Sequence, residues 1–338
     1  GAAPRARRSA CEAAAAGFEQ YVLDTQAAIC EAAEAADGSG ASFCIDRWER
    51  GEGAEGYGIT RVMEGGRLFE KAAANVSVVR GTLSAERASA MSSRGRPGVD
   101  AAGGQAYSAE ALSLVFHSAN PHVPTFRADV RRFQVEGGGE WFGGGADLTP
   151  AYLHERDVAE FHRFWKDLCD EHAPASENEG GEGDGSNAYD RYKRWCDEYF
   201  AIPARNERRG VGGVFYDDLG CEGAEAFTRA VGDGFMDSYL HIAQRRGSDA
   251  FGERERRWQM LRRGRYIEFN LLYDRGVRFG LGGGRMESIM VSAPPMVCWD
   301  YMASLPDEAE SPEEYRCWEH LRLDREPEDW ARRADLLA

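Results

Sequence analysis

Apolar positions between 9 and 36 recur at helical spacing, with Phe18, Val22 and Ile29 on one stripe of an alanine-rich segment. Such a stripe buries one face of a helix, and Asp37-Gly38 is its stop signal. An extended or turn region at Asp46-Arg47-Trp48 follows, and then the period changes to two. Residues 57–80 read as a β-hairpin whose arms, 58–63 and 68–79, meet at Glu64-Gly65-Gly66. A short helix over 84–94, a Pro/Gly loop over 97–105, a strand over 112–117 and a turn at Asn120-Pro121 come next. The strand over 125–135 alternates Phe126, Ala128, Val130 and Arg132 with Arg127, Asp129, Arg131 and Phe133. Arg127, Asp129 and Arg131 therefore share one face, either as plain solvent exposure or as the wall of a polar pocket; the local pattern fits both.

Helical spacing returns over 155–172, with Val158, Phe161, Trp165 and Leu168 inward and His162 at the flank. Residues 173–187 are acidic and low in complexity and read as a solvated, mobile insertion outside the core. A helix over 189–200, a basic turn from Arg205 to Arg209 and a strand over 211–215 follow, the strand running into Tyr216-Asp217-Asp218. Two helices are expected at 223–246 and 253–262, then a strand over 266–273. The glycines at 282–284 turn the chain into a strand over 288–292, which Pro294-Pro295 stops, and the remainder is helical and acidic. Hairpins and meanders with helices before and after define an α+β class with a large, mainly antiparallel sheet. With no internal repeat, residues 9–338 form one domain behind a tail at 1–8.

One stretch interrupts these periods. From 137 to 150 the chain reads Gly-Gly-Gly-Glu-Trp-Phe-Gly-Gly-Gly-Ala-Asp-Leu-Thr-Pro. Without Cβ atoms, backbone or ligand can approach closely. Thr149-Pro150 resembles an N-cap followed by proline at the first helical position. The stretch reads either as a glycine-rich hairpin with a helix cap, or as a bare floor beside Trp141 and Phe142 with Asp147 at its end.

Composition narrows the function. The formal net charge of −16, from 41 basic and 57 acidic residues, excludes general nucleic-acid or anionic-membrane binding, which need a basic face. An anionic small molecule still fits where arginine concentrates: Arg127, Arg131 and Arg132; Arg205, Arg208 and Arg209; Arg262, Arg263 and Arg265. The eight cysteines are scattered without zinc spacing and read as reduced thiols. No apolar run approaches the ~18 residues of a transmembrane segment. Arg5, Arg7 and Arg8 among alanines, with no acid before Glu12, fit the remnant of a transit peptide and favour an organelle, plastid or mitochondrion.

Several chemistries drop out. Gly51 to Gly56 matches G-x-G-x-x-G, but no apolar strand precedes it and its glutamates would repel a pyrophosphate. There is neither an H-E-x-x-H nor a G-x-S-x-G. His117 and His122 flank a turn, where histidines are more often surface or hydrogen-bonded than metal ligands. Asp217-Asp218 reads as a divalent-ion site or as a strand end in water. What is left is arginine, the natural partner of carboxylates, with one placed aspartate in a glycine-lined, aromatic site.

Long motifs in order carry a resemblance. They are Phe69-Glu70-Lys71 with Asn75-Val76-Ser77; Trp141 to Pro150; Trp195-Cys196-Asp197-Glu198-Tyr199-Phe200; Glu207 to Leu219; Gly264 to Gly280; and Glu287-Ser288-Ile289-Met290. From about residue 29 onward the chain resembles the oxygen-dependent coproporphyrinogen III oxidase family. The resemblance implies a homodimer of α+β subunits, each an antiparallel sheet with helices on both faces. It implies oxidative decarboxylation of two propionates of the tetrapyrrole coproporphyrinogen III to vinyl groups, giving protoporphyrinogen IX in haem and chlorophyll biosynthesis. Dioxygen is the co-substrate, with no organic cofactor and no obligatory metal. Asp147 would hold pyrrole N–H groups and help deprotonate one. Arg131 and the 205–209 cluster, with Arg205 and Arg208, would take propionates. Ser113, Gly283, Gly284 and Arg285 match substrate-contacting positions.

The chain departs from the family pattern on the strand over 125–135 and nearby. Arg127 stands where the family has a proton-donor histidine, Asp129 where it has asparagine, Ala119 where it has arginine, and Ala204 where it has a second histidine. Of the histidines the family groups as active-site or metal residues, His117 and His162 are kept. Arginine is a poor general acid, but Arg127 can clamp a propionate and Asp129 can pair with it. Two readings follow. One is an active oxidase; the other is a non-catalytic paralogue, tetrapyrrole-binding or a structural subunit of a larger assembly.

Overall fold

The computed structural model describes residues 17–49, 55–93, 98–178, 186–281, 284–303 and 305–337. The tail at 1–8, the centre of the acidic segment at 173–187, and Gly283 lie outside the described residues. Seven strands each pair antiparallel with their sequence neighbours: β1 (Cys44–Glu49), β2 (Glu55–Glu64), β3 (Phe69–Thr82), β4 (Ala106–Ser118), β5 (Thr125–Val135), β6 (Glu140–Thr149) and β7 (Gly212–Leu219). Among the described residues, the helices of five residues or more are α1 (Phe18–Asp37), α2 (Ala85–Ser92), α3 (Glu155–His172), α4 (Ala188–Tyr199), α5 (Ala224–Asp233), α6 (Phe235–Arg246), α7 (Glu253–Leu272), α8 (Arg275–Leu281), α9 (Met286–Met290) and α10 (Pro312–His320).

Alternation along the strands divides the sheet into two faces. Leu112, Leu114, Phe116, Phe126, Ala128, Val130, Ala146 and Leu148 point into the main core. Helices α1, α3, α5 and α6 close that core with Phe18, Val22, Ile29, Phe161, Trp165, Phe227 and Tyr239. Phe126 stacks on Tyr239 at 4.6 Å between centroids, and each such fully buried side chain contributes roughly 1.5–3 kcal/mol of transfer free energy. The opposite face carries Ser113, Arg127, Asp129, Arg131, Gly143 and Asp147. Helix α7 covers part of it, setting Tyr266 and Ile267 on Ala73 and Val115, and Phe269 beside Phe200 and Phe215. Helices therefore lie on both faces of an α+β fold.

The structure corrects four local readings. Residues 137–150 are mostly strand: β6 spans Glu140–Thr149 in the interior of the sheet, and its glycines are buried. Thr149-Pro150 does not start a helix; α3 begins at Glu155 with His154 at its N-cap. Residues 266–273 are not a strand but largely the last turns of α7. Along α7, Gln259, Arg262, Arg263, Tyr266, Ile267 and Asn270 are buried in alternating steps of three and one, a helical face that an alternating Tyr-Ile-Glu-Phe string imitates over a few residues. Residues 288–292 fall in α9 and the turn after it. In addition, the helix expected over 223–246 divides at Gly234, where an added Cβ would lie 3.0 Å from Leu168 and from Phe164 of α3.

Candidate active site

The charged face of β5 is set by its register against β6: Arg127 opposes Asp147, Asp129 opposes Gly145 and Arg131 opposes Gly143. Asp129 is buried between two guanidinium groups. Arg127 Nη1 lies 2.6 Å from Oδ1, while Arg131 Nη1 donates to Oδ2. Arg131 also reaches Asp217 Oδ1 at 3.1 Å. A Cβ on Gly143 would sit 2.7 Å from Arg131 Nε, so the bare backbone is what allows this guanidinium to lie across β6. The three charges are not plainly solvent-exposed: they form a partly buried ion-pair cluster on this face. Burial alone would lower both arginine pKa values, but Asp129 with Asp147 and Asp274 around Arg127, and Asp129 with Asp217 around Arg131, outweigh it and push both up. Both are permanent cations, and Arg127 cannot act as a general acid.

Asp147 is 2% exposed and its partner Arg209 is 1% exposed. Arg209 Nη2 donates to Asp147 Oδ2 at 2.5 Å, and Nη1 donates to Asn270 Oδ1 at 3.3 Å. The guanidinium carbon sits 3.9 Å from the Phe200 ring centroid, 4.8 Å from Tyr266 and 4.9 Å from Phe269. This aromatic box, built from α7 and the end of α4, holds Arg209 by cation–π attraction and so aims the carboxylate. Asp147 Oδ1 is buried with no hydrogen-bond partner among the described residues. Nothing in the local sequence separates Arg209 from its neighbours in the basic turn.

Those neighbours point elsewhere. Arg205 forks onto Glu268 at 2.8 and 2.6 Å, and Arg208 donates to the carbonyls of Arg322 and Arg325. Ser113 is exposed in a transverse row of register partners, Thr60, Asn75, Ser113, Asp129 and Gly145. From Thr60 on β2 to Asp129 on β5 this row crosses three strand spacings, about 14 Å. Thr60 donates to Asn75 at 2.6 Å and accepts from Trp48 Nε1 at 3.3 Å. Arg285 lies at the β1 end, 2.6 Å from Asp46 and over the Trp48 ring at 5.9 Å; Gly284 precedes it. The face thus brings Ser113, Arg127, Asp129, Arg131 and Asp147 together, puts Arg285 at the far edge, and leaves Arg205 and Arg208 outside.

The two histidines kept from the family pattern are packed inside. His117 Nε2 meets the Ser292 carbonyl at 2.9 Å and its Nδ1 meets Thr125 Oγ1 at 3.4 Å. His162 Nε2 meets the Val211 carbonyl at 3.1 Å and its Nδ1 meets Tyr189 Oη at 2.9 Å. In each ring Nε2 donates and Nδ1 accepts. Burial, aided by Arg263 near His117 and Lys193 near His162, lowers both pKa values to about 3. Both rings are neutral and fully engaged, tying outer segments to the sheet.

Fold and site together define a class: an α+β protein whose seven-stranded antiparallel sheet carries a cluster of ion-paired arginines and aspartates on one face. Comparison with known proteins gives the family. The sequence profile described as Coproporphyrinogen III oxidase matches residues 17–330, and the chain belongs to that family. The mitochondrial oxygen-dependent coproporphyrinogen-III oxidase of Rattus norvegicus is 43% identical over 322 residues, covering 93% of this chain and 68% of the rat protein. The Homo sapiens protein of the same description is 44% identical over 324 residues, covering 93% and 67%. That of Mus musculus is 42% identical over 322 residues, covering 93% and 68%.

Proposed function

We propose that this chain is an oxygen-dependent coproporphyrinogen III oxidase, converting two propionates of coproporphyrinogen III to vinyl groups to give protoporphyrinogen IX. The observation that carries the reading, beside the family, is the buried Asp147 carboxylate: one oxygen is fixed by Arg209 and the other has no hydrogen-bond donor among the described residues. A pyrrole N–H is the donor that oxygen calls for. As the carboxylate draws on the N–H, electron density rises in the ring and a hydride equivalent leaves the propionate carbon next to it more readily. The carboxylate carbon departs as CO2 and the C–C bond electrons become the vinyl π bond. Dioxygen takes the hydride equivalent and one further proton, leaving as hydrogen peroxide, so each propionate consumes one O2. No organic cofactor or metal enters this scheme.

Arg131 and Arg127 line the same face and take propionates by exchange with Asp129; Ser113 and Arg285 border the row along which the macrocycle lies. The chain works as one domain over 9–338 and as a homodimer. Exposed Leu272, Trp299, Tyr301, Met302 and Leu305 supply apolar surface for the second copy. The mitochondrial relatives and the basic N-terminal stretch support an organelle. Among the described residues no helix is long and apolar enough to cross a membrane.

The test is an aerobic assay with reduced coproporphyrinogen III, following protoporphyrin fluorescence after oxidation. Protoporphyrinogen IX should form with one O2 consumed per propionate, ahead of its separate oxidation to the fluorescent porphyrin, and Asp147→Asn should lower kcat by about 10²–10³, the loss seen when one preorganised electrostatic contact is removed. No product at saturating substrate overturns the oxidase reading. Tight tetrapyrrole binding without turnover is the result the non-catalytic reading requires.

A further inference from the structure

Three connections converge at one end of the sheet, away from the residues assigned above. The β4–β5 turn supplies His122, the β6–α3 connection supplies His154, and the segment after α6 supplies Asp249. His122 Nδ1 and His154 Nε2 face each other at 3.2 Å. With a carboxylate oxygen of Asp249, these ligand atoms all lie within 4.8 Å of one another. Two imidazole nitrogens bound to one tetrahedral zinc at 2.0–2.1 Å are about 3.3 Å apart, so the rings already hold the spacing that a shared ion requires.

The surroundings fix these groups in place. Asn120 accepts from the backbone N–H of His122 at 2.9 Å and donates to the Asp249 carbonyl at 2.7 Å, joining two of the three connections. The His122 ring rests on Tyr152 at 4.9 Å, and His154 is the N-cap residue of α3. Arg246 donates to Asp249 Oδ2 at 3.2 Å and so orients the carboxylate. The positive charge of Arg246 is balanced by Asp157, which it forks at 2.6 and 3.2 Å.

We propose that His122, His154 and Asp249 form a binding site for a divalent late first-row cation of the zinc class. Nδ1 of His122, Nε2 of His154 and one carboxylate oxygen fill three positions and water fills the fourth, a donor set that suits zinc or cobalt rather than calcium or magnesium. Each ring stays neutral on binding, its proton moving to the nitrogen that faces away. The ion acts as a clip. It joins the segments leading into β5 and out of β6, the strands that hold Arg127 and Asp147 as register partners. The competing account is a plain histidine–histidine hydrogen bond, which needs no ion.

Cobalt(II), added to the full-length chain after chelator treatment, discriminates between the two. The site gives a saturable visible ligand-field band at one equivalent, without the near-ultraviolet charge-transfer band of a cysteine thiolate ligand. Zinc(II) displaces it and raises the thermal unfolding midpoint. His154→Asn and Asp249→Asn each weaken cobalt binding by more than about tenfold, the least that even outer-shell changes cost a metal site. A hydrogen bond alone gives no saturable band. A band that survives unchanged in both variants, or that carries thiolate charge transfer, also overturns the proposal. Circular dichroism of each variant establishes that it is folded; His122→Phe, which keeps the contact with Tyr152, replaces any that is not.

Discussion

Arg209→Met tests the pair at the centre of the site. Methionine keeps most of the volume in the box of Phe200, Tyr266 and Phe269 but removes the cation. Asp147, 2% exposed, then loses its one side-chain hydrogen-bond partner among the described residues. Breaking a buried ion pair from one side costs about 3–5 kcal/mol, because the remaining charge stays desolvated. The guanidinium's contact with Phe200 at 3.9 Å adds up to ~2 kcal/mol when desolvated, of which the thioether recovers a part by packing on the same rings. The expected loss is therefore about 4 kcal/mol. Adding Asp147→Asn removes the orphaned charge, and a neutral amide beside a thioether should cost less than Arg209→Met alone. The coupling in the double-mutant cycle should exceed ~2 kcal/mol. Urea unfolding at pH 7, with m-values compared across the four proteins, measures it. A single-variant loss under ~1 kcal/mol, or additive losses, would show that the pair does not hold the carboxylate and would remove the reason for assigning Oδ1 to the substrate.

Two more outcomes follow from the geometry. A Cβ at Gly143 meets the end of the Arg131 side chain, whereas at Gly144 it meets the backbone oxygen of Asp129 at 2.7 Å. Gly144→Ala should therefore unfold at clearly lower urea, while Gly143→Ala should fold near normally and show a raised KM; equal stability of the two variants contradicts this. His117 and His162 have folded pKa values of about 3 against 6.5 for the free side chain. The unfolded chain thus binds more protons between those values, and stability falls as pH drops below 6.5. Each ring contributes a loss of about 1.4 kcal/mol per pH unit once the unfolded histidine is protonated. Urea midpoints between pH 6.5 and 4.5, above the range of most carboxylates, should decline, and His162→Gln should flatten the slope. A flat profile in the parent protein sinks the assignment.

What could be read from the chain followed from how strongly side chains advertise their surroundings. β5 was legible at both ends because Phe126, Ala128 and Val130 alternate with charges, and α3 because Val158, Phe161, Trp165 and Leu168 step at helical spacing between polar residues. β6 was not, because a glycine run has no side chains to show alternation. It looked like a turn while lying between two strands. The last turns of α7 failed for the opposite reason: with apolar residues on most sides, both periods fit a short window. Asp147 stood out as a lone carboxylate in a long motif. Its partner did not, since which arginine of the basic turn points inward depends on Phe200, Tyr266 and Phe269, two of which lie more than fifty residues further on.

That distance matters during synthesis. The sheet is a meander, so each of the first six strands finds its partner among residues just made, and such local pairings form early. The box around Arg209 needs α7, residues 253–272, which come after every strand of the sheet. Until then Arg209 has no Tyr266 or Phe269 to stack on, and Asp147 has no fixed cation. A nascent or truncated chain can carry the sheet and its charged face without the aimed carboxylate. The arrangement makes competence at the site a late event, withheld until the C-terminal third has docked.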